Sequence, residues 1–136
     1  VVALVLTGFA LGFSRSPELG WTLVGTWVVL NGGLSALGAA LAYGHPATVI
    51  GAFLAAPLTS LNPTIGAGFV AAAIELTVRR PRVGDFRGLR REITRWRGWW
   101  HNRVARTLLV FLFASLGSAA GTYLAGARIL ERLLSA

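Results

Sequence analysis

Ten of the thirteen cationic side chains fall within residues 79–106, and all thirteen are arginine. The runs on either side are nearly free of charge. Those runs have no polar face to turn toward water, so they cannot wrap an ordinary soluble core. Charged residues make up 13% of the 136, against about 25% in soluble domains, and the mean hydropathy is +0.64. The expectation is an all-α integral membrane protein, a polytopic helix bundle forming one transmembrane domain over residues 1–136.

The net charge of +8 does not point to nucleic acid, because no base-stacking module or recognition helix accompanies it. A basic cluster between apolar spans marks the cytoplasmic side and touches anionic lipid. Residues 79–106 are therefore expected in the cytoplasm, with the lipid bilayer as the first partner. There is no cysteine, which excludes disulfides and thiolate chemistry.

Spans are expected at about residues 1–13, 19–43, 47–60, 63–78 and 104–127, with a short amphipathic tail over 128–136. Ser14-Arg15-Ser16-Pro17-Glu18 forms the first loop, and Trp21, Trp27 and Tyr43 stand like interfacial aromatics. Thirteen residues of helix cover only about 20 Å of a hydrocarbon layer near 30 Å. The chain also holds no methionine. The expectation is a piece of a longer protein, with upstream residues completing the first span.

The apolar run over 46–78 is interrupted by Pro57 and by Asn62-Pro63. As one helix it would reach roughly 50 Å, too long for a straight crossing. Pro63 disfavours helix at Asn62, while Asn is a good N-cap and Pro a good first helical residue. The run is expected to be a helix pair broken at Asn62-Pro63, hairpin-like or re-entrant. A single crossing would put Arg15 on the side of the arginine cluster, and a hairpin would put it on the other side.

Thr59, Asn62 and Thr64, with Ser60, form the densest polar cluster expected at membrane depth. They can line a cavity for an ion, water or ligand at a broken helix, or simply cap it and back-bond to carbonyls. Glu75 lies one helical turn before Arg79, the favourable order for an ion pair, and an intramembrane carboxylate is otherwise a functional candidate. Asp85 can cap a helix over about residues 85–100. There Phe86, Leu89, Ile93, Trp96 and Trp100 share one face, and Arg87, Arg90, Arg91, Arg95 and Arg97 face lipid headgroups on the other. That helix lies on the membrane or against a soluble domain. Gly117-x-x-x-Gly121 offers a smooth face for helix packing, inside the bundle or across a homodimer, and Asn31 and Ser35 can hydrogen-bond between helices. His45 and His101 have no third ligand nearby, so no metal, cofactor or catalytic set is expected in this chain.

The stretch from "GHPATVIGAFLAAPLTSLNPTIGAGF" through "RRPRVGDF" to "HNRVARTLLVFLFASLGS" resembles the C-terminal membrane region of the TraB/PrgY family, the pheromone-shutdown proteins, which are similar to the TIKI proteases. The likeness rests on Pro57, the run Leu58-Thr59-Ser60-Leu61-Asn62-Pro63, the segment from Gly66 to Glu75, Arg80-Pro81-x-Val83-x-Asp85-Phe86, Asn102-Arg103 and Leu116-Gly117-Ser118. It implies a missing N-terminal domain with Gly-x-x-His motifs, a metal-dependent peptidase or peptide-binding module. The divalent metal and the peptide substrate would belong to that domain, in a prokaryotic cytoplasmic membrane. A single Asn-Pro-Thr is also similar to one half of the aquaporin signature, which leaves a small dimeric transporter or channel as the alternative.

Overall fold

One residue separates the first two helices. The computed structural model describes residues 2–62 and 64–135, with α1 at Val2–Arg15 and α2 at Pro17–Leu41. Ser16 is extended, its hydroxyl accepts from the Leu19 N–H at 3.1 Å, and Pro17 opens the helix. A serine N-cap with proline at N1 thus replaces the loop expected over residues 14–18. α1 folds back along α2, with Phe9 edge-on to Trp27 at 6.3 Å. Trp27, expected at an interface, is instead buried, and its indole N–H donates to the Pro57 carbonyl at 3.1 Å.

α2 closes with a left-handed turn. Tyr43 has φ 56°. Its N–H donates to the Ala40 carbonyl at 3.0 Å, and the Gly44 N–H donates to the Ala39 carbonyl at 2.9 Å. This pair of bonds is a Schellman closure. α3, Pro46–Thr59, then runs back along α2, and α4, Ala67–Val78, returns to the turn it came from. The two form a hairpin whose tip, at Ser60, stands level with Asn31 halfway along α2.

Two expectations about this hairpin are corrected. Pro57 does not break the helix but lies buried inside α3. Its missing N–H leaves the Phe53 carbonyl without an intrahelical donor, and that carbonyl abuts Gly32 of α2, where a Cβ would come within 2.6 Å of it. The small residue lets the freed oxygen face a neighbouring backbone. Nor does Asn62 cap the second helix. Its side chain accepts from the Thr64 N–H at 3.0 Å within the tip, and α4 starts only at Ala67 behind Gly66. The expected start at Pro63 lies outside the described residues.

The helix expected over 85–100 is also divided. α5 is Val83–Glu92 and α6 is Gly98–His101. Between them the chain doubles back, and a Cβ on Gly98 would collide with the Glu92 carbonyl. Trp99 locks the bend by donating its indole N–H to the Ile93 carbonyl at 3.2 Å. Asp85 sits at the third position of α5, and its carboxylate accepts from the Arg82 N–H at 2.6 Å.

α7, Arg103–Ser135, is one helix of 33 residues, so the tail expected after residue 127 is its continuation. It packs antiparallel to α2. The Trp100 indole N–H donates to the Leu41 carbonyl at one end, and Arg15 Nη1 donates to the Leu133 carbonyl at the other. Cβ atoms added at Gly38 and Gly117 would collide with the Phe113 and Leu34 carbonyls, and one at Gly121 would lie 2.6 Å from Asn31 Cα. Gly117 and Gly121 therefore pack within the chain against α2, and any homodimer must use another surface. α1 covers one half of the α2–α7 pair and the α3–α4 hairpin covers the other.

Asn102 starts α7. It is buried, its Oδ1 accepts from the Val104 and Ala105 N–H groups at 2.9 and 3.2 Å, and its Nδ2 donates to the Asp85 carbonyl at 2.7 Å. One side chain thus caps a long helix and ties α5 to it. Asn102→Ala is expected to lower stability by about 1–2 kcal/mol. Hydrogen exchange should speed up first at Val104 and Ala105, and unchanged exchange there would remove the capping role.

Candidate functional site: a polar layer and a buried carboxylate

Two apolar clusters fill the bundle. One gathers Ala39, Ala52, Ala71, Val110 and Ala114, and the other gathers Val5, Leu23, Trp27, Ala125 and Ile129. Between them lies a layer of polar side chains. Asn31 Nδ2 donates to Thr122 Oγ1 at 2.9 Å. Its Oδ1 accepts from the Ser60 and Ser118 hydroxyls, each at 2.9 Å, and those two hydroxyls lie 2.8 Å apart. Ser35 donates to the Ala114 carbonyl at 3.1 Å one turn away. The layer joins α2, the hairpin tip and α7, the three parts that must meet.

Such a layer contributes register more than energy. Each interhelical bond adds roughly 0.6–2 kcal/mol in an apolar environment. A slip of either long helix by one turn would strand Asn31 without partners, and a buried unpaired amide costs more than the bond itself contributes. Among the described residues, every fully buried side-chain nitrogen and oxygen has a partner.

The second feature is Glu75, 2% exposed on α4. Its Oε2 accepts from the Thr48 hydroxyl at 2.7 Å and from the His45 N–H at 2.8 Å. Its Oε1 lies 3.4 Å from Arg79 Nη1, the i, i+4 pair anticipated from the spacing. Arg79 Nη1 also donates to the Tyr43 carbonyl at 2.7 Å. One carboxylate thus pins the open end of the hairpin to the α2–α3 turn. The His45 ring caps α3 through Nδ1, which accepts from the Ala47 N–H at 3.1 Å.

The residues singled out in the sequence are therefore only partly brought together. Asn62 and Thr64 are exposed in the hairpin tip. Thr59 back-bonds to the Ala56 carbonyl at 3.4 Å. With Ser60, Ser118 and Thr122, Thr59 and Asn62 line an open groove of about 260 Å3 beside the polar layer. Glu75 lies apart from them at the other end of the hairpin. Arg87, Arg90, Arg91, Arg95 and Arg97 are all exposed. Thr48 is the residue that the sequence reading missed. No motif marks it, and the signal that could have found it is the need of a buried carboxylate for donors. Among the described residues, no three His, Asp or Glu side chains gather as a metal set.

The pattern described as TraB family protein, C-terminal domain, matches residues 1–134. An uncharacterized protein of Methanocaldococcus jannaschii is 34% identical over 111 residues, which is 80% of this chain and 28% of that protein. The chain thus spans under a third of the length of this relative. No solved structure matches it.

Proposed function

The chain belongs to the TraB family, whose C-terminal domain it is, and on that premise we propose that it is the membrane domain of a longer protein. It anchors a metallopeptidase-like N-terminal domain and presents peptide substrate to it. The observation that carries this reading is the length of the relative, of which this chain matches only 28%. A domain outside that match would hold the metal and the chemistry.

The membrane reading draws support from α2 and α7, the two helices among the described residues that are long and apolar enough to cross a bilayer. α3 and α4 are 14 and 12 residues long, so they reach about 21 and 18 Å, short of crossing a hydrocarbon layer of about 30 Å. On this reading the α3–α4 hairpin is re-entrant. It enters and leaves on the arginine side, and Arg15 stands at the opposite face. The backbone at the tip is tolerated at that depth because the N–H groups of Ser60, Leu61, Asn62 and Thr64 bond within the hairpin, and the Ser60 hydroxyl meets Asn31 and Ser118. The arginine-rich α5–α6 segment then lies at the cytoplasmic headgroups.

The test is cleavage of a membrane-tethered peptide by the full-length protein, with and without added divalent metal. Exchanging this domain for an unrelated pair of membrane helices should lower cleavage of the tethered peptide by roughly a hundredfold, through loss of the peptide's placement against the head. Cleavage of a soluble peptide should persist. Equal cleavage of both peptides after the exchange would reduce the domain to a plain anchor. The groove lined by Thr59, Ser60, Asn62, Ser118 and Thr122 favours a second reading, a small dimeric transporter. Solute flux in liposomes that disappears in Asn62→Ala would move that reading to the front.

A further inference from the structure

A second cavity, of about 660 Å3, opens where α2 ends and α7 begins. Tyr43, Arg79, Trp96, Arg97, Trp100, His101 and Arg106 line it. Three guanidinium groups and an imidazole thus border one space. Of these, Arg79 is paired, with the Glu75 carboxylate 3.4 Å from its Nη1. Arg106 is fixed by its Nε, which donates to the Trp100 carbonyl at 2.7 Å. The bonds of Arg79 all leave from Nη1. The terminal nitrogens of Arg106 and the Nη2 of Arg79 therefore keep donors to spare among the described residues. Planar guanidinium forks with free donors match the oxygens of a phosphate group.

Tyr43 supplies an independent observation. It holds a left-handed backbone, φ 56°, at the position of a helix closure where glycine is the usual occupant. Its side chain is 66% exposed, so the ring gains little burial to offset that strain. It stands on the cavity wall, and its carbonyl positions Arg79. A strained non-glycine backbone on a cavity wall is a feature of ligand sites. On the same cavity, Trp96 and Trp100 pack edge to face at 6.1 Å, with Trp96 77% exposed.

We propose that this cavity binds one phosphate-bearing ligand, with Arg97 and Arg106 gripping the phosphate and Tyr43, Trp96 and Trp100 walling it in. The source is an anionic phospholipid headgroup or a soluble phosphate. The lipid source rests on the membrane reading, and the phosphate chemistry does not.

The experiment uses the full-length protein, stripped of lipid in a neutral maltoside detergent. Retained lipid is counted by native mass spectrometry with phosphatidylglycerol or phosphatidylcholine, and inorganic phosphate is titrated separately. One phosphatidylglycerol per chain is expected, held about tenfold more tightly than phosphatidylcholine. Arg97→Gln and Arg106→Gln should each weaken retention about tenfold. Arg87→Gln and Arg91→Gln make the same charge change on α5 outside the cavity and should leave retention nearly unchanged. Tyr43→Gly relieves the backbone, so it should raise the melting midpoint while lowering retention, a combination that general damage to the fold cannot produce. Binding of inorganic phosphate without retention of lipid assigns the site to a soluble phosphate. Equal retention of the two lipids together with no phosphate binding would overturn the proposal, as would equal losses in the α5 variants. Peptide cleavage plays no part in these readouts, so the site and the peptidase reading can fail separately.

Discussion

Glu75→Ala is expected to lower the stability of the chain by about 3 kcal/mol, the usual penalty for removing one partner of a buried charged cluster. The substitution strands the Thr48 hydroxyl, which is fully buried, and the His45 N–H, and both bind Oε2. Arg79 is about a third exposed and can turn to water, so most of the loss comes from the two stranded donors. Glu75→Gln keeps one acceptor oxygen and should lose only about half as much. Thr48→Val removes the hydroxyl and leaves the carboxylate its other donors, so it should cost about 1 kcal/mol. Reversible unfolding in mixed micelles or bicelles measures all three. A Glu75→Ala protein within about 0.5 kcal/mol of the parent would mean that the carboxylate does not hold the hairpin.

The second large effect is a reversal of sign along one helix. Gly117→Ala and Gly126→Ala are the same substitution on α7, and each gains roughly 1 kcal/mol of helix propensity. At Gly126 a Cβ meets open space, whereas at Gly117 it meets the Leu34 carbonyl and backbone. Gly126→Ala should therefore be neutral or stabilising. Gly117→Ala should be destabilising by about 2 kcal/mol net, because α2 and α7 must separate. Gly38→Ala, set against the Phe113 carbonyl, should behave like Gly117→Ala. If Gly117→Ala proves as stable as Gly126→Ala, the close seam between the two long helices is wrong.

Long-period features were legible in the sequence, and local chain reversals were not. The all-α class, the two long apolar helices, the interruption of the 46–78 run and the Glu75–Arg79 spacing follow from hydropathy and from the 3.6-residue repeat. These are properties of many residues at once. The misreadings concern single residues whose effect depends on a distant neighbour. Pro57 reads as a break until Gly32 is seen facing the carbonyl it frees. Trp27 reads as interfacial until the Pro57 carbonyl is seen accepting its N–H. The helix expected over 85–100 runs straight through Gly98, whereas the nearby Glu92 carbonyl makes that glycine the residue that allows a bend. Asn31, Ser60, Ser118 and Thr122 were each legible as polar, but their meeting in one layer is a tertiary fact. Asn62 drew attention because proline follows it, and it spends its side chain on its own loop.

The distance along the chain between the two halves of the polar layer has a consequence for biogenesis. Asn31 and Thr122 are 91 residues apart. At a synthesis rate of roughly 5–20 residues per second, about 5–20 s pass between the emergence of one and of the other. During that interval α2 has left the ribosome without its permanent neighbour, carrying an amide and a hydroxyl on a face meant for α7. Ser60 emerges 29 residues after Asn31 and can occupy the amide first. The short hairpin then gives the nascent helix its first neighbour, one that stays packed on it after α7 arrives.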